Sequence, residues 1–517
     1  MGPKSMHKNQ FIFGAFVLTI AGLFSRFVGF FYRIFLSNQL GAEGMGLYQL
    51  IFPIYGISIS LCCSSIQTGL SRFIAGGIHK HGAKKDRTYF QCALFLSMSL
   101  ALFSALALHI FADTIALHIL NDTRCTPLLR MLSLAIPVCA VHSCIVGYYY
   151  GQQKTTIPAT SQIVEQIIRM SAIFLFYRTA HTGGQTFQVI HAVYGLVIGE
   201  IGALVYCMIC FGPLWAKNSQ RTLSETAIVS PSGNDFCSCM GELISLVLPM
   251  TANRLCLSLL QSGESIMIPD RLRLFGLSQN DALSLFGTLT GMALPFILFP
   301  STLINSLAVM LLPEVANAQA AGNQTRIRQT SGISIHLSLT LGILCLGVFR
   351  HFGIALGTVI FGNELAGNYI TQMSFLCPFL YLAVTLASII NGLGNTKTTF
   401  INTLLSLCIR LGVVFFFMPT MGINAYFYGL LISEILLTAL HLRYLYRSGS
   451  VRINLTESVL KPAITLLPIT LTTAFLERLL NTKTHLTELP INLLSGAWFV
   501  CGFLGIIYLW REKGSDE

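Results

Sequence analysis

Fourteen long apolar runs, separated by short charged or turn-rich breaks, constrain this chain more than any other feature. They lie at about 11–36, 47–74, 89–111, 127–150, 157–177, 187–212, 241–268, 283–312, 331–349, 369–392, 399–418, 424–445, 462–480 and 490–510. Crossing a bilayer takes about 20 apolar residues in a helix, because hydrocarbon leaves no backbone polar group a partner outside its own segment. The runs therefore predict an all-α polytopic membrane protein of about fourteen transmembrane helices. Only 10% of the residues are charged, less than half of the roughly 25% usual in soluble domains. That excludes a large soluble catalytic domain and a nucleic-acid-binding module. The first run, some 26 residues long and without a small-residue cleavage site, reads as a retained span rather than a signal peptide.

The few charges are lopsided, with 32 Lys and Arg against 21 Asp and Glu. With the N-terminus inside, nineteen Lys and Arg fall in inner segments and seven in outer ones. This bias predicts that both termini are cytoplasmic. Six arginines remain, within or at the edge of runs: Arg26, Arg33, Arg130, Arg169, Arg254 and Arg410. Most of the fifteen cysteines lie inside apolar runs, where Cys behaves as a small hydrophobe. Cys207-x-x-Cys210 has no second pair or nearby His, so neither a disulfide framework nor a metal site is expected.

An internal duplication organises the spans. Residues 147–156 (GYYYGQQKTT) resemble 390–399 (INGLGNTKTT), each after a run containing a proline, Pro137 or Pro378. Each is followed by a run with an internal arginine, Arg169 or Arg410. The next run reads Tyr194-Gly195-Leu196-Val197-Ile198-Gly199-Glu200 in one copy and Tyr428-Gly429-Leu430-Leu431-Ile432-Ser433-Glu434 in the other. Six spans per copy give both the same orientation, so two parallel-repeat lobes around a central cavity are expected. The division is an N-lobe at 1–212, a cytoplasmic linker at 213–240, a C-lobe at 241–446, and two further helices with a tail at 447–517.

Charges inside spans cost a few kcal/mol each and need a partner or water. Arg169 with Glu200, and Arg410 with Glu434, read as one structural ion pair per lobe. Glu165 stands four residues before Arg169 and can also reach it. Arg26 and Arg33 are seven residues apart, on one helix face, with no acid between them. Arg254 has no acid within one turn, Glu264 coming later in its run. These three either snorkel or pair with Glu200 or Glu434, or they line an aqueous cavity. In a cavity their planar forks would suit a diphosphate. Acids facing the cavity, such as Glu264 or Glu165, would instead suit lipophilic cations or a coupling ion. His109-x-x-x-Asp113 matches an acyltransferase pattern once, by chance, and no P-loop, H-E-x-x-H or G-x-S-x-G is present. An enzyme is not expected.

The stretch Leu23-Phe24-Ser25-Arg26-Phe27-Val28-Gly29-Phe30-Phe31-Tyr32-Arg33, then Gly41-Ala42-Glu43-Gly44-Met45-Gly46, carries a family resemblance. So do Ser265-Ile266-Met267-Ile268-Pro269-Asp270-Arg271, Leu285-Phe286-Gly287-Thr288 and Leu311-Leu312-Pro313-Glu314. Together they resemble the stage V sporulation protein B-like polysaccharide transporters of the multidrug/oligosaccharidyl-lipid/polysaccharide (MOP) superfamily, which also holds the MurJ-like lipid II flippases. The resemblance implies fourteen helices, a bacterial cytoplasmic membrane location, and a cavity that alternates between membrane faces. It implies that Arg26 faces that cavity. Arg33 follows Arg26 by seven residues where MurJ-like proteins have six, and 53–70 lacks the arginine they carry there. The last two helices, within 462–510, border a lipid-tail groove in such proteins.

The reading that results is a flippase for an undecaprenyl-diphosphate-linked saccharide, either lipid II or a polysaccharide unit. Arg26, Arg33 and Arg254 would hold the diphosphate. Alternatives are a cation-coupled multidrug antiporter of the same fold, or a non-transporting scaffold in envelope assembly. The expected partners are membrane lipid and the lipid-linked substrate, with no nucleic acid; a monomer is expected. No cofactor is implied, and coupling to an ion gradient or to the membrane potential is left open.

Overall fold

Each expected apolar run falls on helix in the computed structural model, which describes residues 3–77, 82–225, 233–451, 454–483 and 488–513. Helices α1 (Pro3–Leu50), α2 (Phe52–Ile59), α3 (Ser65–Gly77), α4 (Gly82–Ile110) and α5 (Ala112–His118) open the chain. They are followed by α6 (Cys125–Ser133), α7 (Ala135–Gly151), α8 (Thr156–Thr182), α9 (Val189–Glu225) and α10 (Gly233–Leu274). Next come α11 (Gln279–Gly287), α12 (Leu294–Leu298), α13 (Ser301–Ala320), α14 (Gln324–Phe361) and α15 (Glu364–Met373). The last are α16 (Cys377–Gly392), α17 (Thr396–Met421), α18 (Ile423–Arg447), α19 (Lys461–Lys483) and α20 (Glu488–Lys513). Wider π-type turns at Ser60–Ser64, Thr288–Ala293 and Thr456–Leu460 are inserted between them, each about a single turn long, as is usual for this geometry.

Twelve helical stretches among the described residues are long and apolar enough to cross a membrane. One of them, Thr19–Gly76, holds two of the expected runs. Its two parts are divided at Gly41, whose φ of 69° and ψ of −176° lie in a region essentially closed to residues with a Cβ. The run at 157–177 is helix α8 but is not among the twelve, because Gln162, Glu165, Gln166 and Arg169 lower its hydropathy. The run at 283–312 is bent: α12 ends at Leu298, and α13 starts after Pro300, which cannot continue the backbone hydrogen-bond ladder. The molecule is a polytopic α-helical membrane protein.

The two copies keep a constant register through the first turn and helix. In each, a backbone N–H reaches back five residues to close the preceding helix, Lys154 to Tyr149 at 3.0 Å and Asn395 to Ile390 at 3.1 Å. Gln153 (φ 59°) thereby occupies the left-handed place that Gly394 (φ 86°) holds in the second copy. This structural register pairs Lys154 with Asn395, two positions away from the match of 147–156 with 390–399. It is the register that also aligns Arg169 with Arg410. The copies then diverge in length, since residues 183–188 join α8 to α9 while Gly422 alone joins α17 to α18.

By packing, the chain forms two compact units, Met1–Asp270 and Arg271–Glu517. In the first, Ile66, Leu70, Ile74, Phe90, Ile145 and Leu243 are among the residues that build a buried core. α10 lies along α2 and α3: Ser262 Oγ donates to the Pro53 carbonyl at 2.9 Å, and a Cβ on Gly69 would meet Val247 at 2.5 Å. The repeat places a linker at 213–240, but helix α9 continues to Glu225 and α10 begins at Gly233; 226–232 lie outside the described residues. In the second unit Leu311, Val315, Ile335, Leu386, Ile389 and Leu445 share a core. There α14 and α15 touch backbone to backbone, a Cβ on Gly357 falling 2.1 Å from the Gly367 nitrogen.

Candidate functional site

Helix α1 presents two opposite exposed faces. At about 100° per residue, Gly22, Arg26, Gly29 and Arg33 fall within roughly 60° of one another. Both arginines are exposed, and a Cβ on Gly22 or Gly29 would meet no atom within 4 Å. Ile20, Phe24, Phe27 and Phe31 fall on the opposite face and are exposed as well. Between the two faces, Ala21 and Tyr32 are buried. An apolar exposed stripe suits lipid, whereas two guanidinium groups in a span need water or an anion. Neither Arg26 nor Arg33 has a carboxylate within ion-pair distance among the described residues.

Arg254 stands on α10, exposed, and its Nη2 makes a long 3.4 Å contact to Thr68 Oγ1 of α3. The same α10–α3 packing that buries Val247 against Gly69 sets it there. Arg254 also has no carboxylate partner among the described residues, neither Glu200 nor Glu434.

The other three arginines singled out in the sequence are ion-paired. Arg169 Nη2 binds Glu165 Oε1 in a short contact and lies 3.8 Å from Glu200 Oε1. Arg410 Nη1 lies 3.8 Å from Glu434 Oε1. Arg130 Nη2 binds Asp113 Oδ2 at 2.7 Å, and His109 Nδ1 faces Ser133 Oγ at 3.4 Å. The His109-x-x-x-Asp113 pattern thus belongs to separate structural contacts. Gly199 lets Arg169 lie against α9, since a Cβ there would sit 2.9 Å from the Arg169 Cβ. Glu264 is buried on α10.

The two ion-paired sites differ in one charge. In the structural register the position of Glu165 is taken by Ser406, whose hydroxyl donates to the Ser433 carbonyl at 2.8 Å. The first site therefore holds two carboxylates on one guanidinium, whereas the second lacks the counterpart of Glu165. His142, which the sequence reading did not single out, adds a titratable neighbour: its Nδ1 lies 3.9 Å from Glu200 Oε2, and its Nε2 lies 3.4 Å from Ser161 Oγ. Tyr32 and Tyr48 lie near both Arg169 and Arg33. They link the paired cluster to the open face of α1. A lone His in an apolar run was the only sequence signal for His142, and nothing in the spacing tied it to Glu200.

The family model described as polysaccharide biosynthesis protein matches residues 12–274, just over half of the chain. This chain belongs to that family. The matched part contains Arg26, Arg33, Arg169, Glu200 and Arg254. Among its relatives, stage V sporulation protein B of Bacillus subtilis is 23% identical, covering 89% of this chain and 88% of its own. The lipid II flippase MurJ of Bacillus subtilis is also 23% identical, covering 78% of this chain and 76% of its own. A solved structure of the lipid II flippase MurJ in an inward closed conformation matches with a TM-score of 0.74 at 13% identity, covering 96% of this chain and 99% of the other. This family member has the MOP-superfamily fold and is related to MurJ.

Further ion pairs were not read from the sequence. His351 Nε2 lies 3.2 Å from Glu477, joining α14 to α19. Lys85 and Tyr89 both reach Glu242, at the ends of α4 and α10. In the loop before α6, Arg124 binds Asp122 (Nη2–Oδ2 2.7 Å) and Glu43 (Nη1–Oε1 2.5 Å). Hydrogen bonds donated to Asp122 and then to Glu43 hold the Arg124 guanidinium still more firmly in its charged form.

Proposed function

We propose that this protein is a flippase that carries a saccharide linked to a lipid diphosphate, of the undecaprenyl type, across the bacterial cytoplasmic membrane. One observation carries the reading. Of six arginines in or beside spans, three bind carboxylates and three, Arg26, Arg33 and Arg254, have none among the described residues. Cations left so in a membrane protein call for an anionic ligand. A diphosphate is the anion whose oxygens match guanidinium forks. The kinship with stage V sporulation protein B and MurJ supports the lipid-linked class. The lipid tail would stay in the bilayer while the site is exposed to the two membrane faces in turn, with both termini cytoplasmic.

The antiporter alternative needs an acid open to the cargo. Glu264 is buried and Glu165 is bound to Arg169, which favours the flippase. The surplus carboxylate beside Arg169 is where an ion gradient would act. The test is translocation of lipid-linked diphosphate saccharides in vesicles holding the purified chain. Arg26→Ala, Arg33→Ala and Arg254→Ala should each weaken binding and slow translocation by at least tenfold while the protein stays folded. Unchanged binding and transport in all three would refute the assignment.

A further inference from the structure

The second unit contains a cavity of about 350 Å³ at one end of three spans. It lies where the early part of α14, the π-type turn leading into α19, and the last turn of α20 meet. Its size is within the usual range of small-molecule sites, about 300–1,000 Å³. The polar lining comprises His336, Asn454, Glu457, Ser458 and Lys461, of which Glu457 and Lys461 are the charged pair. Lys461 Nζ pairs with a Glu457 carboxylate oxygen and lies 5.4 Å from the centre of the Trp510 ring. Asn454 Oδ1 accepts from the backbone N–H groups of Thr456 and Glu457 at 3.2 and 3.4 Å, fixing the turn that carries the pair. On the other side Ile333 and Leu337 are exposed apolar walls. Leu455 and Leu460 beside the turn are exposed too.

This combination selects its occupant. Tryptophan and lysine at the ends of spans mark the headgroup level of a bilayer. The apolar walls open toward acyl chains rather than water. The polar groups present one cation and one anion a single helical turn apart. A headgroup carrying only a phosphate would draw Lys461 away from Glu457 and leave that carboxylate without its partner. A headgroup with both charges satisfies both residues. We propose that the cavity binds a phosphoethanolamine phospholipid, its phosphate toward Lys461 and its ammonium toward Glu457, with the chains along Ile333 and Leu337. The primary ammonium can donate hydrogen bonds to the carboxylate, which a quaternary choline cannot. Trp510 adds an aromatic face at the cationic end of the pair. The inference does not depend on the transport reading.

The test uses the full chain purified into nanodiscs from an equimolar mixture of phosphatidylethanolamine, phosphatidylglycerol and phosphatidylcholine with identical acyl chains. Lipids retained through delipidating washes are counted by native mass spectrometry. Retention of phosphatidylethanolamine should exceed that of each other lipid several-fold. Glu457→Gln should erase its advantage over phosphatidylcholine, and Lys461→Gln should lower retention of all three. Equal retention by the unmodified chain, or preference for phosphatidylglycerol, would overturn the proposal whether or not the variants fold. Persistence of the full preference in folded Glu457→Gln would overturn it as well.

Discussion

Neutralising one glutamate should have unequal consequences in the two copies of the repeat. In the second unit Arg410 and Glu434 face each other at 3.8 Å, both about 85% buried. At an effective dielectric of about 20, charges at that separation attract by roughly 4 kcal/mol. Removing one partner of such a pair typically costs about 3–5 kcal/mol, because the other charge stays in a poor solvent. In the first unit Glu165 and Glu200 approach the same Nη2 of Arg169, which puts their acidic oxygens within about 7 Å and their mutual repulsion at about 2 kcal/mol or more. Glu165→Gln gives up one attraction, relieves that repulsion, and leaves Arg169 with Glu200. That relief offsets part of the loss, so Glu165→Gln should cost about 2 kcal/mol less than Glu434→Gln, which should cost about 3–5 kcal/mol. Reversible unfolding of each variant in bicelles, followed by tryptophan fluorescence or by steric trapping, gives both values. The difference should be at least about 2 kcal/mol, a factor of roughly 30 in the folding equilibrium. Equal costs would show that the surplus charge of the first copy is compensated by something other than Arg169. Exchanging the charges, Arg410→Glu with Glu434→Arg, should recover most of what either single change loses; no recovery would mean the two do not act as a pair.

Other expectations follow from single sites. Gly41→Ala forces a Cβ into φ 69°, ψ −176° and should cost about 1–3 kcal/mol, seen as a lowered unfolding midpoint with substrate binding retained. Gly357→Ala drives a methyl group onto the backbone of Gly367, which no rotamer change can relieve. It should destabilise by at least about 1–3 kcal/mol, more than Gly412→Ala, where the added methyl group meets nothing within 4 Å. Arg124→Ala removes three side-chain hydrogen-bond contacts from the buried Asp122 carboxylate. It should cost about 1–3 kcal/mol at neutral pH, and Asp122→Asn in the same chain should recover part of the loss.

Much of this molecule is legible along the chain because the bilayer allows so few solutions. Apolar runs of spanning length had to become helices, and the run at 157–177 stays helical in α8 even though its polar residues take it below spanning hydropathy. The repeat made Arg169 equivalent to Arg410 and Glu200 to Glu434 before any coordinates. It did not set the register of the turns, which a left-handed Gln153 and Gly394 decide. Nor did it reveal that Ser406 stands where the first copy has Glu165.

The sequence alone determines which residues share a helical face, since that follows from a period of 3.6. Arg26 and Arg33 on one side of α1 and the phenylalanines on the other are of this kind. What lies against each face depends on neighbours drawn from distant parts of the chain, and only the tertiary structure decides it. Arg169 and Arg254 are each the one arginine of an apolar run, although only Arg169 has an acid, Glu165, within about one turn. Packing sets one beside two carboxylates on α8 and α9 and the other beside a threonine on α3. A buried charge must find its counter-charge within a few ångströms, so that difference in neighbours separates the ion-paired arginines from those with no carboxylate partner among the described residues.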